Sequence, residues 1–281
     1  MTDPMERIAA ALERAFPRFH AEPEGGHLAW SFDVGKGFMP IVRMQLPNLA
    51  DLLHIERQKT LAERNTRQFT AGLPANHMLL WGARGTGKSS LIRALLGRFG
   101  AHGLRLVEVD TRGLSRLPDL VEPLALRGER FVIFADDLAF DADDAGYRAL
   151  KAMLDGRLGG LPENVLLYAT SNRRHLVPEP RHENAPSLEP EIHPGEASEE
   201  RISLSERFGL WLAFHPLLQN QYLDVVHHHL ERLGVRVAAP EMQAVAVEAV
   251  RFATLRGSRS ARVASQFAAD YAGRDGLGDR V

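Results

Sequence analysis

Residues Gly82-Ala83-Arg84-Gly85-Thr86-Gly87-Lys88-Ser89 satisfy the pattern G-x-x-x-x-G-K-[ST] at every fixed position. That pattern suits a phosphate chain. Glycines let consecutive backbone N–H groups turn inward around an anion, and a helix starting there adds the positive end of its dipole. Lys88 is placed to reach β- and γ-phosphates, and Ser89, followed by Ser90, to offer a hydroxyl to Mg²⁺. The flanks have the required shape. His77-Met78-Leu79-Leu80-Trp81 reads as a short buried strand, and Leu91 to Leu96 as a helix leaving the loop. A nucleoside triphosphate is the expected ligand.

Four further groups could complete such a site. The apolar run Phe131 to Ala135 ends in Asp136-Asp137, the form of a Walker B element. Asp136 could hold the Mg²⁺ shell and Asp137 could polarise an attacking water; the plainer reading is an exposed acidic turn. The run Val165 to Thr170 leads into Ser171-Asn172, where an amide could orient that water without adding charge, or simply cap a turn. In Ser205-Glu206-Arg207-Phe208-Gly209, the guanidinium of Arg207 could stabilise phosphate charge in a neighbouring subunit, or pair with a carboxylate of its own chain. Arg259 and Arg262 lie three apart at the start of an expected last helix, so both could share a face and one could reach the phosphates. His227-His228-His229 diverge by about 100° each on a helix, so they form no helical metal pair. Trp81 and Trp211 read as core aromatics.

The elements that must carry these residues alternate along the chain. A helix over 5–16, loops or a small hairpin over 22–37, and a helix from Leu49 to Phe69 precede the phosphate loop. Then follow a strand over 104–109, a helix over 117–126, the strand 131–135, a helix over 147–158 and the strand 164–170. Continuous apolar strands separated by helices predict an α/β doubly wound parallel sheet. The proline- and glutamate-rich stretch 178–200 reads as a flexible insertion. Helices are expected at 217–233, 240–255 and 258–272, with 273–281 frayed. Three regions result: an N-terminal extension, 1–47; a core, 48–215; and an all-α C-terminal part, 216–281.

Composition narrows the partners. A net charge of −2 and a pI near 6.6 supply no global field toward nucleic acid or acidic membranes. With no cysteine, disulfides, iron–sulfur clusters and cysteine-ligated zinc are excluded. No stretch approaches the ~18 apolar residues that span a bilayer, and the first twenty residues lack a signal peptide's apolar core. A cytoplasmic location is expected.

With loop, acidic strand end, strand-tip Asn, RFG arginine and C-terminal helices in this order, the chain resembles the AAA+ ATPases. The resemblance is closer still to a bacterial family of predicted AAA+ ATPases catalogued as a domain of unknown function. It rests on Asn65-Thr66-Arg67-Gln68-Phe69 through Pro74-Ala75-Asn76, on Trp81 to Ser90, on Phe134 to Leu138, on Tyr168 to Leu176 and on Ser203 to Trp211. It implies a P-loop NTPase fold with a five-stranded parallel core, a helical lid and ATP bound between them with Mg²⁺. It also implies a homo-oligomer in which Arg207 acts in trans on behalf of an unidentified macromolecular client. Leu53 and Ile55, just before the core, would then help enclose the adenine.

One departure qualifies the activity. Most AAA+ proteins carry Asp-Glu at the acidic strand end, and Asp137 is shorter by one methylene, roughly 1.5 Å of reach. A base misplaced by that much can slow hydrolysis about a hundredfold. Two readings stay open: a hydrolysing ATPase that assembles or remodels a partner, and a slow or non-hydrolysing ATP-dependent binding module. A GTPase is disfavoured because no N-K-x-D tetrad is present, and Asn172-Arg173-Arg174-His175 ends in the wrong residue. A small-molecule kinase would leave the RFG arginine and the C-terminal helices unexplained.

Overall fold

The computed structural model describes residues 5, 19–140, 145–155, 160–173, 204, 206–238 and 240–277. The expected N-terminal helix and the 178–200 insertion lie outside these, as does the tail beyond Leu277. At its centre is a sheet whose strands are β1 (Ala29–Asp33), β2 (Gly37–Pro40), β3 (Met78–Gly82), β4 (Leu104–Val109), β5 (Arg130–Ala135), β6 (Val165–Ser171) and β7 (Leu210–Phe214). Their spatial order is β2-β1-β4-β5-β6-β3-β7. All pairings are parallel except β1 with β2.

The expected five-stranded sheet is therefore a seven-stranded one. The stretch read as loops or a small hairpin does form a hairpin, turned by Asp33, whose carboxylate accepts from the N–H groups of Gly35 at 2.9 Å and Lys36 at 3.0 Å. It then joins the main sheet, Trp30 aligning with Val107 of β4. Trp30 and Phe38 are fully buried, and that burial drives the attachment.

Helices cover both faces. The helices α1 (Glu56–Thr70) and α2 (Lys88–Phe99) pack on one side, where Phe69, Leu91 and Leu95 meet Met78, Leu80 and Phe134. On the other side lie the short α3 (Thr111–Leu114), α4 (Leu117–Ala125) and α5 (Ala145–Leu154), where Leu120, Leu124 and Leu150 meet Leu79, Ile133 and Leu167. Strands buried on both faces explain why β5 and β6 are almost continuously apolar. A third cluster forms among the C-terminal helices α6 (Gln219–Arg232), α7 (Met242–Leu255) and α8 (Ala261–Leu277), centred on Tyr222, Val226, Ala249 and Phe267.

Two expected helices change shape. The run from Leu49 to Phe69 is a 3₁₀ turn over Leu49–Asp51, capped by Asn48, then a turn at Leu53-His54, then α1. His54 at φ +61° breaks it, since a left-handed residue cannot continue a right-handed helix. At the other end α8 does not fray at Gly273 but continues to Leu277, pinned by Arg274, which bonds Glu248 at 2.5 Å and Asp270 at 3.1 Å. Among the described residues, no helix is long and apolar enough to cross a membrane.

Candidate functional site

The strand order β5-β6-β3 brings three strand ends together at the C-terminal edge of the sheet, the edge where open α/β sheets bind ligands. β3 delivers the phosphate loop, β5 delivers Asp136-Asp137, and β6 delivers Asn172. Gly82, at φ +132°, starts the loop so close to β7 that a Cβ there would stand 1.9 Å from the Phe214 carbonyl oxygen. Only glycine fits. Gly87, at φ 99°, is the residue before α2, so the N-terminus of that helix opens directly under the loop.

Inside the loop, Lys88 is buried and donates to the carbonyls of Gly82 and Ala83, each at 2.8 Å, and to Asn172 Oδ1 at 3.2 Å. Asn172 donates in turn to Asp137 Oδ1. Ser89 Oγ donates to Asp136 Oδ1 at 2.7 Å. Arg84 lies 3.6 Å from Asp137 Oδ2. The candidates from three strands thus form one hydrogen-bonded cluster. Burial pulls the Lys88 ammonium below the usual lysine range; Asp137 and Asp136 oppose that shift, and Arg262 and Arg84 add to it. An anion placed here would relieve the crowding of positive charge. Thr86 is buried against the Ala83 carbonyl, and Ser90 sits half-buried on the first turn of α2.

The C-terminal helices reach this loop through the start of α8. The N–H of Arg262 donates to the Gly85 carbonyl at 3.2 Å, and a Cβ on Gly85 would meet Ser260 Oγ at 2.8 Å. Arg259 and Arg262 do not share a helix face as expected, because α8 begins only at Ala261, with Ser260 Oγ accepting from Val263 N–H. Arg262 touches the loop, whereas the Arg259 carbonyl accepts from Leu217 N–H.

Residues 51–55 are wedged between the sheet-side core and the C-terminal helices. Ile55 packs in the sheet-side core, with Cδ1 4.0 Å from where a Gly87 Cβ would be, and Leu53 packs on the C-terminal helices. Asp51 holds Arg232 at 2.7 Å and His228 at 3.2 Å, and His54 Nε2 lies 3.0 Å from Asp224 Oδ2. The three consecutive histidines are half-buried, and among the described residues no cluster of His, Cys, Asp or Glu could hold a metal. Trp81 and Trp211 are half-buried, and Trp211 packs against the core.

Residues 26–275 match the family described as "Protein of unknown function (DUF815)". The chain belongs to that family. Its fold is that of the AAA+ P-loop NTPases. A Thermotoga maritima RuvB mutant structure aligns with a TM-score of 0.56 at 15% identity, covering 84% of this chain and 69% of that one. The FIGL-1 AAA domain in complex with ADP aligns with a TM-score of 0.51 at 19% identity, covering 84% and 76%. Aeropyrum pernix ORC1, in complex with DNA, gives 0.51 at 19%, covering 78% and 61%. No curated protein sequence matches.

One predicted residue of this DUF815 chain stands apart from the cluster. Arg207 precedes β7, which starts opposite Met78, the first residue of β3. It therefore lies at the N-terminal edge of the strands, at least roughly 13 Å of strand away from the loop. There it forms an ion pair with Asp155, just after α5. Two residues near the cluster escaped the sequence reading. Glu108, one residue before the end of β4, is half-buried; burial raises its pKa, with Arg93 opposing and Asp136 adding. A carboxylate near the C-terminal end of a largely apolar strand was the available signal. The other is Thr170, buried at the tip of β6.

Proposed function

We propose that this protein binds ATP at the Gly82–Ser89 loop and hydrolyses it, coupling nucleotide state to assembly or to remodelling of a partner. The observation that carries the reading is the continuous chain Lys88–Asn172–Asp137 beside Ser89–Asp136 at one strand edge. Residues 48–215 serve as the ATPase core and 216–281 as a lid over the nucleotide. Leu53 and Ile55 flank the adenine, and Arg262, rather than Arg259, senses the phosphates. Ser89 and Asp136 supply hard oxygen donors that suit Mg²⁺, a cation that usually relies on phosphate oxygens and water for the rest of its shell. When bound, Mg²⁺ would neutralise phosphate charge. Asp137, steered by Asn172, is the group that draws the proton from water.

The position of Arg207 supports action in trans. It stands away from its own loop, so any role at the phosphates requires a second copy, with its bond to Asp155 released or shared. A homo-oligomer follows from this reading. ORC1, solved with DNA, makes DNA a client class to test beside protein, although the net charge of −2 gives no general attraction to it.

A specific observation also favours the second reading, a slow switch. Both oxygens of the short Asp137 carboxylate are engaged, one by Asn172 and one near Arg84. Steady-state ATP turnover separates the two. Hydrolysis predicts turnover above Lys88→Ala and Asp137→Ala; turnover no higher than the Lys88→Ala background leaves only the switch.

A further inference from the structure

We propose that Thr170 is a positioning residue that sets both carboxylates of the acidic pair through one hydroxyl, and so lets Asp137 stand where a longer side chain is usual. The inference rests on the ATP-site reading above. Thr170 Oγ1 donates to Asp136 Oδ1 at 2.5 Å and accepts from the N–H of Asp137 at 2.8 Å. A hydroxyl can do both at once because it carries one donor and two lone pairs. Serine shares that capacity, whereas valine, which matches threonine in shape, has neither donor nor acceptor.

The surroundings make this hydroxyl hard to replace. Thr170 is 1% exposed, so water has little access to substitute for it. Its backbone carbonyl accepts from Leu138 N–H at 2.7 Å, and Ser171 Oγ donates to the Leu138 carbonyl at 2.8 Å. The chain after β5 is thereby fastened to the tip of β6 on both sides of Asp137. Between these fastenings Asp137 adopts φ +55°, a left-handed conformation uncommon outside glycine. Aspartate tolerates that conformation better than most residues, because a short polar side chain can bond locally. The same turn fixes the direction in which the Asp137 carboxylate leaves the backbone. Asp136 Oδ1 meanwhile receives two donors, Thr170 Oγ1 and Ser89 Oγ, so Thr170 also sets the angle at which that carboxylate faces the serine.

The test compares Thr170→Val, which keeps the shape and removes the hydroxyl, with Thr170→Ser, which keeps the hydroxyl. Fluorescent ATP-analogue binding is measured in EDTA and across a Mg²⁺ titration, alongside ATP turnover and thermal melting. Thr170→Val is expected to raise the Mg²⁺ needed for half-maximal binding and to lower turnover by about tenfold or more, with binding in EDTA unchanged. Thr170→Ser is expected to stay within about threefold of wild type in both. Should Thr170→Val not fold, Thr170→Ala carries the same comparison. The proposal is overturned if the hydroxyl-free variant keeps wild-type Mg²⁺ dependence and turnover, or if the serine variant falls as far as the valine one. If wild type itself shows no turnover, hydrolysis fails as a reading, while the Mg²⁺ titration still decides the role of Thr170.

Discussion

Replacing Gly85 by alanine tests whether the contact between α8 and the phosphate loop matters for ATP. Gly85 has φ +75°, and a left-handed alanine costs roughly 1–2 kcal/mol. Its new Cβ would also lie 2.8 Å from Ser260 Oγ and 3.1 Å from the Cβ of Arg262, inside the 3.4 Å where ordinary contact begins. Ser260 cannot simply swing away. Its hydroxyl accepts from Val263 N–H at 3.3 Å as the cap of α8, and losing a cap of this kind costs about 1 kcal/mol. The alternative is to lift α8 by several tenths of an ångström, which strains the 3.2 Å bond from Arg262 N–H to the Gly85 carbonyl. Some of this strain is present with and without nucleotide, and only the part that opposes lid contact weakens binding. A net loss of about 1.4–2 kcal/mol corresponds to a dissociation constant for ATP raised roughly ten- to thirtyfold. Titration calorimetry with Mg-ATP reads this directly. Gly276→Ala, in the same helix and with nothing near its added methyl, is the control and should bind as wild type. If Gly85→Ala binds ATP within about threefold of wild type, the α8 contact is not part of the nucleotide site.

Two further outcomes follow. His77 is half-buried just before β3, accepts from Leu167 N–H through Nδ1 at 3.2 Å, and has its pKa lowered by desolvation to about 4. The neutral form is the one the fold stabilises, so its contribution is complete above the ordinary histidine pKa near ~6.5 and is lost as pH falls toward the folded value; the loss approaches about 3 kcal/mol. Denaturant melts between pH 7 and 4 should show that decline in wild type and less of it in His77→Gln; equal declines would remove His77 as the cause. Mixing Arg207→Ala with Lys88→Ala protein should restore part of the lost ATP turnover, because each supplies what the other lacks; no recovery in a demonstrably mixed oligomer would refute action in trans.

The residues that proved most legible were those whose chemistry is local. The strand–loop–helix around Lys88 could be read because glycines, lysine and flanking apolar runs all sit within some twenty residues. β5 and β6 could be read because strands buried on both faces need no alternation. Joining the hairpin Ala29–Pro40 to the sheet was not legible, since Trp30 finds its place only against Val107, far along the chain. β7, with the sequence Leu210-Trp211-Leu212-Ala213-Phe214, was not assigned as a strand; only its first two residues were singled out, as the end of a motif string. Asp155 as the partner of Arg207 was equally hidden, separated from it by the stretch least regular in sequence. Thr170 gave the weakest signal of all. A threonine in an apolar strand is ordinary, and its meaning comes from the acidic strand end beside it.

The most direct measurement of the central claim is equilibrium binding of ATP, with and without Mg²⁺, to wild type and to Lys88→Ala. Lys88 is buried in the loop and bonded to Asn172, so the account predicts one saturable site per chain, weakened at least about tenfold by the substitution. Absence of binding in wild type, or equal affinity in both proteins, would contradict it.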